Sequence, residues 1–139
     1  MRIDMVLDYG AFQPARGHAA DAGIDLKTPQ NVKIPAKGSA KIDTGVHIAI
    51  PEGYFGKLES KSGLNVSHDV VSLGGVIDSG YTGSIVVKLY NLGEEDYEFR
   101  AGDKIVQLII QPCVIPEIAI TDRLKKTERG DSGFGSTGK

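Results

Sequence analysis

The stretch Gly74-Gly-Val-Ile-Asp-Ser-Gly-Tyr-Thr-Gly-Ser-Ile-Val-Val-Lys-Leu-Tyr90 decides what kind of chain this is. Val76 and Ile77 lead into a reversal built from Asp78, Ser79 and Gly80, after which Ile85, Val87 and Leu89 alternate with Val86, Lys88 and Tyr90. A period of two sends successive side chains to opposite faces of a strand, and Asp-Ser-Gly is good turn chemistry. The segment therefore predicts a β-hairpin with Asp78 and Tyr81 three residues apart at its bend.

The pattern recurs on both sides. Ile3, Met5 and Leu7 alternate with polar residues, as do Val46, Ile48 and Ile50 with His47 and Ala49 before the turn Pro51-Glu-Gly53. Tyr54 to Glu59 reads as a strand, Ile105 to Gln111 is an apolar run broken by Gln107, and Ile118 with Ile120 predicts a last short strand. Turn signals recur at about the 8–12-residue spacing of an all-β sandwich or barrel. Composition agrees: 14 Ile and 11 Val stand against 9 Leu, cut up by 18 Gly and 6 Pro, and β-branched residues favour strands. The one helical candidate is a short turn over Gly63 to Ser67 with Ser62 as its N-cap.

The 139 residues make a single domain with a tail. A net charge of −2 argues against a nucleic-acid partner. The lone Cys113 excludes an intrachain disulfide framework and a multi-cysteine zinc site. No apolar run approaches the roughly 18 residues of a membrane span, and Met1-Arg-Ile-Asp4 lacks an apolar signal core, so a cytoplasmic protein is expected. Residues 125–139 hold four glycines and one large apolar side chain, Phe134. Too little surface can be buried there to order the segment, which predicts a barrel domain over 1–124 and a flexible arm over 125–139.

Several segments carry chemistry, each beside a plainer reading. In Arg129-Gly-Asp-Ser-Gly-Phe-Gly-Ser-Thr-Gly138, glycines free the backbone to wrap a phosphate, Ser136 and Thr137 add hydroxyls, Arg129 adds charge and Phe134 a flat face for a base; otherwise it is a solvated terminus. Asp78 is either a general base toward water or a turn former, and Tyr81 either stacks on a sugar or packs across the hairpin. In Ser60-Lys-Ser-Gly-Leu64, Lys61 and Ser62 form either an anion site or a cap with a solvated lysine. Asp25, in Ala22-Gly-Ile-Asp-Leu26, is a strand-end carboxylate or one aimed at a ligand or a metal-bound water. Gln107 needs partners, from the backbone or from a ligand. His18, His47 and His68 lack metal-ligand spacing and read as satisfied side chains, and Cys113 as a small apolar residue.

Taken together and in this order, five of these segments resemble the trimeric deoxyuridine triphosphate nucleotidohydrolases (dUTPases): Ala22-Gly-Ile-Asp-Leu26, Ser60-Lys-Ser-Gly63, Gly75-Val-Ile-Asp-Ser-Gly-Tyr-Thr-Gly83, Gly102-Asp-Lys-Ile-Val-Gln107, and Arg129 to Gly138. The resemblance covers the chain from about residue 20 onward. It implies a jelly-roll-like β-barrel, a homotrimer with sites between subunits, and hydrolysis of dUTP to dUMP and pyrophosphate, which keeps uracil out of DNA and supplies dUMP for thymidylate synthesis. It implies that Asp78 activates the water attacking the α-phosphorus. Tyr81 would pack on deoxyribose, and the backbone around Gly75 and Ile77 would read uracil. Lys61, Ser62, Gly63 and Gln107 would bind phosphate oxygens. Asp25 would hold Mg²⁺ through water, with no direct protein ligand. Phe134 would cap the base while Arg129, Gly135, Ser136 and Thr137 close from a neighbouring subunit's arm.

The match departs from the family at four places. Lys61 stands where Arg is usual, and Ser72 where many relatives carry Asn. Gly80 replaces a frequent acidic residue, and Asp131-Ser132 a common Gly. Deamination of dCTP on the same barrel would need a carboxylic acid in Ser84-Ile-Val-Val-Lys-Leu-Tyr90, and none is present. A non-catalytic nucleotide-binding regulator would not need Asp78.

Overall fold

The computed structural model describes residues 1–133. Phe134, Gly135, Ser136 and Thr137 lie outside the described residues. The elements are β1 (Met5–Leu7), β2 (Gly23–Lys27), β3 (Val32–Ile34), β4 (Ser39–Asp43), β5 (Val46–Ile48), β6 (Tyr54–Glu59), α1 (Ser62–His68), β7 (Val70–Ser72), β8 (Val76–Ile77), β9 (Val86–Asn91), β10 (Tyr97–Phe99) and β11 (Lys104–Pro112). Strands pair antiparallel into open sheets, β2-β11-β6-β8 and β4-β9-β7, with the two-stranded ribbons β1-β5 and β3-β10 beside them. The result is the all-β, jelly-roll-like fold with one short helix that the sequence predicts. Among the described residues no helix is long and apolar enough to cross a membrane.

Inward side chains of the sheets meet in one cluster. Leu26 of β2, Ile34 of β3, Ile42 of β4, Leu58 of β6, Val87 and Leu89 of β9, and Ile105, Val106 and Leu108 of β11 are buried there. β9 shows why alternation predicts a strand: Val87 and Leu89 point in, while Val86 and Lys88 face solvent. Strand β11 is the seam of its sheet, paired with β2 through Lys104–Ile109 and with β6 through Gln107–Pro112.

Three expectations are corrected. The segment around Asp78 is not a paired hairpin. β8 pairs with β6 (Gly56 opposite Ile77), whereas β9 pairs with β4 and β7. Two residues of β8 make too short a ladder to hold β9, which instead finds five partners on β4. The tight reversal survives, with the Tyr81 N–H donating to the Asp78 carbonyl at 3.2 Å, so the turn is a corner between two sheets. Ile118 and Ile120 form no strand and stand exposed; alternation becomes a strand only where a sheet edge is offered, and none among the described residues takes them. Finally, Lys61, with extended backbone and no side-chain cap, is the N-cap of α1, and Ser62 is its first residue. The Asn65 N–H closes the first turn on the Lys61 carbonyl at 3.0 Å.

Asn91, 1% exposed, ties two loops to the core. Its amide donates to the carbonyls of Ile34 (3.1 Å) and Glu95 (2.7 Å), and its oxygen accepts from the Gly93 N–H (3.0 Å). Asn91→Ala strands those groups in a buried setting and is expected to cost about 1–3 kcal/mol in urea unfolding. A change within about 0.5 kcal/mol, the surface range, would mean that water replaces the amide without loss.

Candidate functional site

Asp25 sits on β2 between Ile24 and Leu26, and all three are buried. A buried carboxylate must be paired, and two ammonium groups do this. Lys61 Nζ lies 2.5 Å from Oδ1 and Lys104 Nζ 2.8 Å from Oδ2. Burial pushes the Asp25 carboxyl up, but the hydrogen bonds and charges of Lys104 and Lys61 outweigh it and hold it below the usual aspartate value.

Local structure explains both lysines. Lys61 is turned back toward β2 because it caps α1 with extended backbone. Lys104 is re-aimed by a register shift between Lys104 and Val106, where β11 bulges against β2. A bulge puts two residues opposite one, and here Ile105 and Val106 both enter the core. Beside them, Gln107 lies opposite Asp25 on one side and Glu59 on the other. Its Nε2 donates to the Ser60 carbonyl at 3.1 Å, so the backbone supplies its partner. Gly23 leaves room for it, since a Cβ there would meet the Gln107 amide oxygen at 2.1 Å and push the amide aside.

Ser72 is buried against Ser60. The Ser60 hydroxyl donates to the Ser72 carbonyl (3.0 Å) and accepts from the Ser72 N–H (2.8 Å), bracing the Ser60–Lys61 corner against β7. Asp25, Lys61, Lys104 and Gln107 line a cleft of about 390 Å³ together with Gly17, His18, Asp21, Ala22 and Gly23. The two ammonium groups and the Gln107 amide suit an anionic ligand with several oxygens.

The second group surrounds the corner turn. Asp78 is exposed, Ile77 is buried beneath it, and Gly80 adopts φ 83°, which suits glycine there in place of an acidic residue. The Tyr81 ring lies over Gly83, and its hydroxyl donates to the Ser84 carbonyl at 2.9 Å. Upstream, the Gly75 carbonyl accepts from the Leu58 N–H at 3.0 Å. Side chains of neighbouring strands hold the turn. Asp43 accepts from the Ser84 hydroxyl and from the Gly45 N–H, and these bonds, with Ser84 leading, keep its carboxyl below the usual value. His47 holds the Thr82 carbonyl.

These two groups do not meet within the chain. β2 and β8 are the two edges of one four-stranded sheet, three strand spacings apart. Asp25 lies in register with Glu59, whereas Ile77 lies opposite Gly56. At about 4.8 Å between strands and 3.4 Å along them, Asp25 and Ile77 are on the order of 17 Å apart, with Asp78 further still. Ser62 and Gly63 open α1 next to Lys61. Arg129 is exposed and donates to the Ser132 carbonyl at 3.0 Å. The sequence singled out Asp25, Lys61 and Gln107, and the structure brings them together. It did not single out Lys104, whose aim depends on a bulge, nor the anchoring roles of Asp43 and His47, which lie 41 and 35 residues from the groups they hold.

Among the described residues no three His, Cys, Asp or Glu side chains form a metal-ligating group. The carboxylates of Asp25 and Asp21 on the cleft nevertheless fit the way Mg²⁺ is often held, by one or two carboxylates, waters and substrate phosphates.

Comparison with known proteins bears on both groups. The dUTPase family model matches residues 11–138. The deoxyuridine 5'-triphosphate nucleotidohydrolase of Arabidopsis thaliana is 44% identical over 132 residues, covering 95% of this chain and 80% of that protein. The dUTPase of Staphylococcus bacteriophage 80alpha, solved with dUPNHPP, is similar with a TM-score of 0.92 at 30% identity, covering 99% of this chain and 98% of that one. A variant dUTPase from phage phi11 of S. aureus, described with a structural Mg(II) ion, gives a TM-score of 0.83 at 27% identity over 91% of this chain and 100% of that one. With a family match across both groups, identity above 40% over nearly its whole length and the same fold, the chain belongs to the dUTPase family.

Proposed function

We propose that this chain hydrolyses dUTP to dUMP and pyrophosphate as a homotrimer, with each site assembled from the lysine cleft of one subunit and the Asp78 turn of another. The separation on the order of 17 Å across one sheet carries this reading: a single copy holds both groups but cannot present them to one ligand. Exposed apolar side chains at Leu73, Val76, Val86, Ile115, Ile118 and Ile120 supply surface for such an assembly to cover. A net charge of −2 supports a small-molecule substrate over nucleic acid or membrane, and an unpaired Cys113 supports a cytoplasmic setting.

Within that site the Asp78 carboxylate accepts a proton from water as its oxygen bonds to the α-phosphorus. The bond from that phosphorus to the bridging oxygen breaks, and pyrophosphate leaves. Lys61, Ser62, Gly63 and Gln107 bind phosphate oxygens, joined by Lys104. Asp25 keeps the two ammonium groups aimed into the cleft before substrate arrives, and it is the carboxylate that would hold Mg²⁺ there. Mg²⁺, when bound, neutralises charge on the phosphates. Backbone at Gly75 and Ile77 reads the uracil edge, and Tyr81 fills the space a 2′-hydroxyl would take. The arm over 125–139 closes the site from a neighbouring subunit, with Phe134 over the base and Arg129, Gly135, Ser136 and Thr137 on the phosphates. Closure excludes water and later releases product.

Pyrophosphate release measured over dUTP, dTTP, dCTP and UTP, with and without Mg²⁺, is expected to be confined to dUTP and strongest with the metal. Asp78→Asn keeps the shape of the turn and removes its basic oxygen. It should lower kcat by about 10²–10⁴ while dUTP still binds; turnover near that of the unaltered chain would remove Asp78 from the mechanism.

The division between subunits has its own test. A chain ending at Lys126 retains every strand and should fold, yet be inactive alone, as should full-length Asp78→Asn. In reassembled trimers of one truncated and two Asp78→Asn chains, about one site in three joins an intact Asp78 to a neighbour's arm. Activity should return in those mixtures. Verified mixed trimers that stay silent would show that arm and turn serve the same site from one chain.

A further inference from the structure

The corner turn carries Asp78 at one end and Thr82 just past Tyr81, and its one side-chain tether at Thr82 is His47. The ring stands on β5, 28% exposed. Nδ1 lies 2.7 Å from the Thr82 carbonyl oxygen, and Nε2 lies 3.2 Å from Oδ1 of Asp8, just beyond β1. A carbonyl and a carboxylate are both acceptors, so each contact requires a hydrogen on the ring nitrogen that faces it. A neutral imidazole has only one such hydrogen; the imidazolium has two. The observed pair of contacts is therefore complete only in the protonated ring. In the neutral ring one nitrogen turns a lone pair toward an acceptor oxygen, and the surviving bond no longer has the added strength of a charged donor.

We propose that His47 is a positioning residue for the Asp78–Tyr81 turn: as an imidazolium it clamps the Thr82 carbonyl to Asp8, and on losing its proton it loosens the turn that presents Asp78.

The groups around the ring favour the charged form. Asp8 follows β1 and Asp43 ends β4. Asp4, paired with Arg2, precedes β1 and lines the same groove as His47, Asp8 and Thr82. Lys41 of β4 acts on Asp43 from beyond. The turn itself offers the uncharged Thr82 carbonyl, and the Tyr81 hydroxyl is committed to Ser84. The bond to the Thr82 carbonyl, then that to Asp8, and the charges of Asp8 and Asp43 raise the His47 pKa above its ordinary 6.5. The sign follows: a raised value in the folded chain makes the clamp complete below the ordinary value, and the clamp is lost as pH rises through the folded one. Asp43 holds Ser84, two residues beyond Thr82, and is ionised throughout that window. The turn thus has a permanent anchor at Ser84 and a proton-dependent one at Thr82.

The kinetic readout rests on dUTP hydrolysis at Asp78; the spectroscopic one does not. NMR titration of the full chain from about pH 5.5 to about pH 8.5 follows the His47 ring and the amides of Tyr81, Thr82 and Gly83. Those amides are expected to move with the His47 midpoint, above 6.5. Asp8→Asn should lower the midpoint, and His47→Gln should abolish the movement. Over the same range KM for dUTP, read by pyrophosphate release, should rise about three- to tenfold more in the unaltered chain than in His47→Gln.

Amides indifferent to the His47 titration, or matching pH profiles in the unaltered chain and His47→Gln, would overturn the proposal. If the unaltered chain releases no pyrophosphate at any pH, the dUTP reading fails and the amide titration alone decides on His47. Should His47→Gln fail to fold, the His47 midpoint in Asp8→Asn decides instead: a lowered midpoint supports the clamp, and an unmoved one overturns it.

Discussion

A carboxylate buried between two leucine-sized side chains is tolerated only when cations meet it, and the Asp25 pairing with Lys61 and Lys104 is the constraint from which the cleft follows. The constraint is met from one side by Lys61, the extended N-cap residue of α1, whose Nζ reaches Oδ1. It coincides with the bulge that takes Ile105 and Val106 into the core together and leaves Lys104 free to reach Oδ2. Opposite Asp25, Gln107 completes the row across the sheet, over a glycine that has no Cβ to obstruct it. Two ammonium groups held a few ångströms apart would repel each other without the carboxylate. With it they are oriented before any ligand arrives, so less ordering has to be done on binding.

The same sheet keeps the two groups of side chains apart. Lys61, Lys104 and Gln107 gather around Asp25 at the β2 edge, while Asp78 and Tyr81 sit beyond β8 at the other edge, displaced along the strands. Lys61 is partly buried and Lys104 exposed, both braced on the buried Asp25, whereas Asp78 is an exposed carboxylate. An edge turn leaves such a carboxylate solvated, whereas a carboxylate inside the sheet needs cations beside it.

The sequence revealed the half-buried strands best. Val46 to Ile48 and Val86 to Asn91 alternate, Tyr54 to Glu59 reads as a strand, and each became one with an inward face. Strand β2 does not alternate, because Ile24, Asp25 and Leu26 are all buried, and β3 and β10 are three residues each, too short for a period to show. The hairpin reading failed for a reason of partners: turn chemistry predicts a reversal, but which strands then pair depends on edges offered from elsewhere in the chain. Asp25 and Gln107 could be singled out as polar groups among apolar ones. That Lys61 reaches Asp25 from 36 residues away could not be read locally.

Because β8 and β9 belong to different sheets, the turn between them registers the angle at which those sheets pack. Ile77 and Ile85, the buried residues on either side of it, belong at once to the core and to the frame of Asp78. A change of volume there is felt twice, once as lost packing and once as a tilt of the carboxylate. Repacking this part of the interior is therefore read both in stability and in the aim of the Asp78 carboxylate. In such a fold, the direction of a surface carboxylate is set by hydrophobic residues that never touch solvent.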